Sequence, residues 1–362
     1  MTHARPTDWN ALALPALFDA LARADAEDAV TRALAEDLRE GGDVTSAASI
    51  PPSLRGSATV VSRAQGVIAG LPVAEIVARR AGLAIERHVD DGARIGPGTR
   101  IATIAGPFAA LLAHERTILN FLTLLSGNAT AAARFTALVE GTRAQVCDTR
   151  KTIPGLRTLQ KYATRCGGAS LHRIGLFDAV LLKDNHLGAF PAGTLAERVR
   201  AAAAHARARG PVAFVECEVD SLAQFDELLA LAPDASGARV LDMILLDNME
   251  PAMLAEAVRR RDARAPGVLL EASGGVRLET VRAIAESGVD RISVGAITHS
   301  APAIDLGLDL EVEPGLDGGL DGGLDGGLGE RLGERLSEGR DAGRHAGRHA
   351  DSEVARRPGH GA

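Results

Sequence analysis

Cysteine is scarce and poorly placed for a disulfide framework: Cys147, Cys166 and Cys217 are odd in number and widely spaced. Two of them sit inside apolar, strand-like runs, so they read as small core residues in a reducing compartment. Cysteine and histidine do not cluster at metal-ligand spacing, which excludes a structural zinc module. The opening MTHARPTDWNALALPALFD lacks a basic stretch followed by a long apolar run, and no later segment approaches about 18 uninterrupted apolar residues. Neither a leader nor a membrane span is expected, and the chain reads as cytoplasmic. A basic surplus is missing as well: the formal net charge is -7, which argues against nucleic acid as a partner.

The 362 residues, 46% of them hydrophobic, are enough for two domains with buried cores. From Pro15 to Arg39 the spacing of Leu17, Leu21, Val30, Leu34 and Leu38 predicts a helix that stops at Gly41-Gly42. SATVVSRA, GVIAG and LAIERHV follow as short strands around a helix from Pro72 to Gly82. The next stretch, DGARIGPGTRIATIAG, has the rhythm of a lipoyl or biotinyl carrier but no lysine at a hairpin tip, so it is taken as structural sheet. Between His114 and Val139 the apolar spacing predicts two buried helices separated by Ser126-Gly127-Asn128.

After Arg143 strand and helix alternate. The strands are QVCD, AVLLKD, VAFVECEV, DMILLDN, GVLLEAS and RISVGA, with helices at Thr194 to Arg209, Leu222 to Leu231, Pro251 to Arg261 and Leu278 to Gly288. Near-continuous apolar strands joined by helices imply a parallel sheet covered on both faces. No G-x-G-x-x-G follows the first strand, and polar residues follow all six rather than gathering at one switch point. A six-stranded barrel is therefore expected. The last 48 residues hold 14 of the 40 glycines, in GLDGGLDGGLDGG and GRHAGRHA; a repeat of four rejects a nonapeptide calcium array and predicts a disordered tail. The expected division is an N-terminal α/β sandwich over 15–128, the barrel over 129–300, a return segment over 301–314 and the tail over 315–362.

Within this frame one segment stands out. From Arg143 to Lys183 there are eight Lys/Arg against two Asp, a cationic concentration in an acidic chain. A solvated surface loop is the bland account. Charges at strand ends beside apolar runs instead suggest a partly buried mouth, where unpaired charge is costly without a counter-ion. An anionic ligand is expected. The other strand ends carry Glu216 and Glu218, Asp247-Asn248, Ser273-Gly274-Gly275 and Ser293-Val294-Gly295. Glycine-rich loops after the last two strands allow backbone N–H groups close to a phosphate, although ordinary turns have the same composition. Glu218 and Asp247 are read as the only carboxylates in apolar strands near the rim, with Glu216 as neighbour; they could hold Mg²⁺, bind ribose hydroxyls or stabilise a positive carbon. A polyanionic acid reacting with a phosphorylated sugar is the combination these residue types suggest.

At these residues the chain resembles the quinolinate phosphoribosyltransferase family. The likeness runs from AEDLREGGDVTS to about Leu310, through ERTILNFLTLLSG, DTRKTIPGLRTLQKYA, RCGG with HR, LLKDNH, VECEV, LLDNM, EASGG and SVGAITHS. It implies an α/β sandwich plus a six-stranded α/β barrel, a homodimer or higher assembly, and transfer of phosphoribosyl from 5-phosphoribosyl 1-pyrophosphate to quinolinate with decarboxylation. Mg²⁺ is the implied cofactor, carried by the substrate pyrophosphate and by Glu218 and Asp247. Lys151, Glu218 and Asp247 are the implied catalytic residues. Arg150, Lys151, His172, Arg173 and Lys183 would bind quinolinate and part of the sugar donor, with Thr149 beside them. Ala272, Ser273, Gly274, Ser293, Val294 and Gly295 would form the 5′-phosphate cradle. Arg116 would reach into the partner subunit's barrel. One departure is visible: the family pattern G-G-G-x-N-H-R is here Gly167-Gly168-Ala169-Ser170-Leu171-His172-Arg173. Two rivals remain, a relative of the same fold encoded with molybdate transporters and using another acid, and a phosphosugar-binding protein without turnover.

Overall fold

The computed structural model describes residues 7–187, 194–231 and 239–313. The glycine-rich stretch over 315–362, expected as a disordered tail, lies outside the described residues. The first layer is an antiparallel sheet of β1 (Arg55–Ser62), β3 (Ala84–Arg87), β5 (Arg100–Pro107) and β12 (Leu306–Val312), in the order β12-β1-β5-β3, beside a small pair of β2 (Gly66–Val67) and β4 (Arg94–Ile95). The segment 301–314 thus contributes an edge strand: β12 runs the length of β1, from Gly56 opposite Val312 to Ser62 opposite Leu306. The helices Arg23–Leu38 and Leu71–Arg80 bury Val30, Val73, Ile76 and Val77 in the same core.

The two helices expected between His114 and Val139 are one, Phe108–Leu138. Ser126-Gly127-Asn128 has turn chemistry, but each residue answers a backbone that packs against it. Ser126 Oγ accepts from Ala69 N–H at 3.0 Å. Asn128 Nδ2 donates to Ile297 O at 2.8 Å. A Cβ on Gly127 would come within 2.3 Å of Pro302 O. Tertiary contact here overrides local propensity. This helix is long and apolar enough to cross a membrane, yet Ile118, Leu119, Leu122 and Leu125 are buried in the protein core.

The second layer is a six-stranded parallel sheet of β6 (Gln145–Cys147), β7 (Val180–Leu182), β8 (Val215–Val219), β9 (Met243–Asp247), β10 (Leu269–Ser273) and β11 (Arg291–Ser293). Its order is β6-β11-β10-β9-β8-β7, so the first and second strands stand at opposite ends. The segment between them bridges these two edges, so the sheet curls round on itself as an α/β barrel rather than lying open as a doubly wound sheet. The seam between β6 and β7 is filled by residues 170–173: Ser170 pairs with Cys147, its N–H donating to Val146 O at 2.8 Å, and the Arg173 guanidinium donates to Ala179 O at 3.3 Å. Leu171, where the family pattern has asparagine, is held by Asn10, which accepts from its N–H at 2.7 Å and donates to its carbonyl at 3.1 Å.

Strand alternation sorts the barrel residues into two sets. Val215, Cys217, Leu270, Ala272, Ile292 and Val294 join the core under the helices. Glu216, Glu218, Glu271, Ser273, Arg291 and Ser293 occupy the other set, which faces the barrel interior.

Candidate active site

A cavity of about 600 Å³ opens where the barrel strands end. The loop after β6 supplies Thr149, Arg150 and Lys151, and the seam supplies His172 and Arg173. Lys183 follows β7. Glu218 and Asp247 lie at the ends of β8 and β9, and Ser273, Gly274 and Ser293 complete the lining. These residues, expected from the sequence to act together, are brought together. Gly295 is not part of that lining; a Cβ there would meet the His299 ring at 3.1 Å and the Lys151 stem at 3.2 Å.

Three other expected residues lie elsewhere. Ala272 and Val294 are one step out of phase along their strands and are buried in the helix-facing core, so their side chains do not line the cavity. Arg116, with its side chain 68% exposed, sits on the long helix in a separate groove with Glu36, Asp37, Asn120 and Leu156. Within one chain it is not part of the cavity lining.

Not every cation of the basic segment belongs to the site. Lys161 is fully buried, with Nζ 2.7 Å from both oxygens of Asp148 and 3.3 Å from His172 O. Asp148 also accepts from His172 N–H at 2.8 Å. Arg157 donates to Thr152 Oγ1, and Arg165 to the carbonyls of Asn10 and Ala169. All three lie on the helix Arg157–Cys166, which the sequence reading did not assign. None of the three lines the cavity, and only Lys161 is held by a buried ion pair.

The remaining cations crowd one wall. Burial lowers the pKa of Arg173, and the positive charge of Arg150 lowers it further. Arg150 Nε is buried with no hydrogen-bond partner. Two guanidiniums that destabilise each other in this way are suited to a polyanion. Lys183 forms an ion pair with Glu218, joining this wall to the carboxylate side. In the same lining Gly274 and Gly275 adopt φ of +95° and +57°, and a Cβ on Gly274 would strike Asn248 Oδ1 at 2.1 Å. Asn248, itself at φ +52°, donates its N–H to Ser273 O at 2.9 Å and its Nδ2 to Asp247 at 2.7 Å. The loops after β9 and β10 are thereby locked together where they line the cavity.

The floor holds a carboxylate that the sequence reading overlooked. Glu271 of β10 is fully buried, and so is Glu216 of β8; Glu218 and Asp247 are therefore not the only carboxylates in the apolar strands. Glu271 sits in GVLLEAS, and its signal was the one used for Glu218, a charge in an apolar run. His172 Nε2 lies 3.0 Å from Glu216 Oε2 and 3.4 Å from Glu271 Oε1. Arg291 Nε donates to Glu271 Oε2 at 2.8 Å. Burial opposes charge on His172, but the two carboxylates outweigh it and push its pKa up to about 9. Its Nδ1 also lies 2.7 Å from the Arg173 backbone nitrogen, a contact that asks for an unprotonated Nδ1. Two buried carboxylates prevail over one contact between neighbours, so the imidazolium is the dominant form below about pH 9. Burial also opposes charge on Glu271, and His172 and Arg291 overcome it and hold its carboxyl low; Glu216 is pushed up by burial and then by the charge of Glu271.

Known proteins resemble this chain over most of its length. Residues 43–126 match the family "Quinolinate phosphoribosyl transferase, N-terminal domain", and residues 128–309 match "Quinolinate phosphoribosyl transferase, C-terminal domain". The nicotinate-nucleotide pyrophosphorylase (carboxylating) of Mycobacterium leprae is 45% identical over 278 residues, spanning 76% of this chain and 93% of that protein. The probable nicotinate-nucleotide pyrophosphorylase (carboxylating) of Bacillus subtilis is 37% identical over 275 residues, 74% of this chain and 88% of that protein. Among solved structures, the nicotinate-nucleotide pyrophosphorylase of Francisella tularensis superposes with a TM-score of 0.72 at 33% identity, covering 84% of this chain and 99% of that one. Both halves of the chain, the identities and the barrel with its cationic mouth agree: the protein belongs to the quinolinate phosphoribosyltransferase family.

Proposed function

We propose that this enzyme transfers the phosphoribosyl group of 5-phosphoribosyl 1-pyrophosphate to quinolinate and decarboxylates the adduct, giving nicotinate mononucleotide, CO₂ and pyrophosphate for NAD synthesis. The observation that supports this reading is one cavity lined both by a cluster of cations, with Arg150 and Arg173 repelling each other, and by glycine-opened backbone. Arg150, Lys151, His172, Arg173 and Lys183 take the acid's carboxylates, with Thr149 bracing the loop by accepting from Lys151 N–H at 3.0 Å. Ser273, Gly274, Ser293 and Gly295 take the 5′-phosphate. Ala272 and Val294 can contribute only backbone atoms.

In the transfer, the pyridine nitrogen forms a bond to C1 of the sugar as the C1–oxygen bond to pyrophosphate breaks. Positive charge builds on the ring carbon, and Glu218 and Asp247 are placed to stabilise it. The C2–carboxylate bond then breaks, its electron pair stays on C2 beside the quaternised nitrogen, and a proton takes that pair. Glu218 and Asp247 are hard oxygen donors at adjacent strand ends, a set that fits Mg²⁺. That ion, when bound, would draw charge from the departing pyrophosphate. Lys151 supplies fixed positive charge on the acid side. We place the reaction in the cytoplasm.

The test is simultaneous measurement of CO₂ and pyrophosphate with the sugar donor and Mg²⁺, first with quinolinate and then with nicotinate. Equimolar release from quinolinate and none from nicotinate is the expected result; pyrophosphate from nicotinate alone would sink the assignment. We further propose a homodimer in which Arg116 of one chain serves the barrel of the other. Mixing Arg116→Ala with Lys151→Ala subunits should then restore roughly a quarter of wild-type activity after random exchange. A mixture that stays inactive after verified exchange removes Arg116 from the shared site.

A further inference from the structure

Glu271 belongs to the cavity floor yet has no exposed surface, and its two carboxylate oxygens turn toward Arg291 and His172. A buried carboxylate is rarely retained without a task. Neutralising Arg291, 2.8 Å from Oε2, would be one, but Glu271 also turns Oε1 toward His172 Nε2 at 3.4 Å, where Glu216 already stands at 3.0 Å. The ring is therefore gripped from two strands, β8 and β10. Phe214 meets it edge-on, with centroids 5.4 Å apart, and its Nδ1 lies against the Arg173 backbone nitrogen. Rotating the ring would therefore disturb the backbone of the next residue, whose guanidinium reaches the cavity. Cys147 of β6, 3.7 Å from Glu271 Oε2, has its thiol pushed up by burial first and by Glu271 next, so it brings no competing charge. The donor atoms of His172, Glu216 and Glu271 lie within 4.8 Å of one another, a spacing a metal could use. Arg291, however, already provides Glu271 with a positive partner.

We propose that Glu271, with Glu216 as its partner, is a positioning residue for the acid half of the site: the two carboxylates fix the His172 ring and, through it, the course of Arg173. In kinetic terms this inference rests on the reaction proposed above. Glu271→Gln keeps the shape and removes the charge. It should raise KM for quinolinate by about ten-fold or more, change kcat by less than about three-fold and leave KM for the sugar donor within about two-fold. Glu271→Asp should recover part of the loss. The double variant Glu271→Gln/His172→Asn should be no worse than His172→Asn alone, because both act through one ring. A purely structural role would instead lower the melting temperature and affect both substrates alike.

A second measurement needs no substrate. In the ligand-free protein, NMR titration of the His172 imidazole should give a midpoint near 9 for wild type and a fall of about one pH unit or more in Glu271→Gln. Should Glu271→Gln fail to fold, Glu216→Gln tests the same ring and should give a fall in the same direction. An unmoved midpoint overturns the proposal, as does an unmoved quinolinate KM in an enzyme that turns over. If wild type releases no CO₂ from quinolinate, the reaction assignment fails, and the titration still judges the positioning role.

Discussion

Lys151 and Lys161 lie ten positions apart in one basic segment and end in opposite surroundings. Lys151 is exposed at the barrel rim beside Arg150 and lines the cavity. Lys161 is fully buried and spends its charge on Asp148 and the His172 carbonyl. At the rim Arg150 and Lys151 have no carboxylate partner among the described residues, whereas in the interior Lys161 is matched to Asp148 and Arg291 to Glu271. Local charge count does not separate the two kinds; the partner does. The interior pair Lys161–Asp148 holds the barrel seam in place, and at the rim Lys183 is paired with Glu218 while Lys151 stands without a carboxylate.

The largest effect should come from breaking an interior pair. Lys161→Met leaves Asp148 buried and uncompensated, and loss of one member of such a pair typically costs about 3–5 kcal/mol. Chemical denaturation should show the loss in full, and a denaturation midpoint equal to wild type would refute the interior role. Lys151→Ala reverses the pattern. Removing one preorganised charge at the site should slow turnover by roughly 10²–10³-fold, about 2.7–4 kcal/mol, with an unchanged melting temperature. If Lys151→Ala melts early or turns over normally, the distinction between rim and interior fails at its clearest residue.

The third expectation uses pH. His172 has a folded pKa of about 9 against an ordinary 6.5, so proton binding favours the folded state. Its stabilisation is complete below about pH 6.5, declines as pH rises and is gone above about 9; the whole is of order 3 kcal/mol. Stability measured from pH 6 to 10 should fall over that window, and His172→Asn should flatten the fall. A wild-type curve that stays level from pH 6.5 to 9 would mean that Glu216 and Glu271 do not hold the ring charged.

How far the amino-acid order reveals this arrangement depends on the range of the forces involved. The six barrel strands are legible because each is a short apolar run closed by polar residues, and the site residues follow because strand ends converge in any parallel barrel. The helix Phe108–Leu138 was divided in two because Ser126-Gly127-Asn128 carries turn chemistry; the contacts that keep it straight come from Ala69, Ile297 and Pro302, which are remote in sequence. The helix Arg157–Cys166 was hidden by its own charges: Lys161 occupies a buried position, so the apolar period is interrupted by a residue whose partner lies thirteen positions earlier. Glu271 escaped because Ser273 and the glycines after it drew the phosphate reading. Its contact with Arg291 spans twenty residues and that with Cys147 spans 124. Ala272 and Val294 show the reverse error, in which a motif was taken whole although strand alternation sends every second side chain away from the cavity.

The smallest expected effect tests the sorting at its margin. Arg157 shares the helix of Lys161 and is counted from the sequence among the cations that call for a ligand, yet its one side-chain bond among the described residues is to Thr152 Oγ1, at a long 3.3 Å. It is half-buried and does not line the cavity. A weak, partly solvated contact of this kind contributes little, so Arg157→Ala should change stability by no more than about 0.5 kcal/mol and turnover by less than about two-fold. Denaturation and steady-state rates with both substrates are sufficient to decide it. A drop in turnover approaching that of Lys151→Ala would place Arg157 at the site, and would mean that a cation can serve the incoming anion without reaching the cavity wall in the unliganded chain.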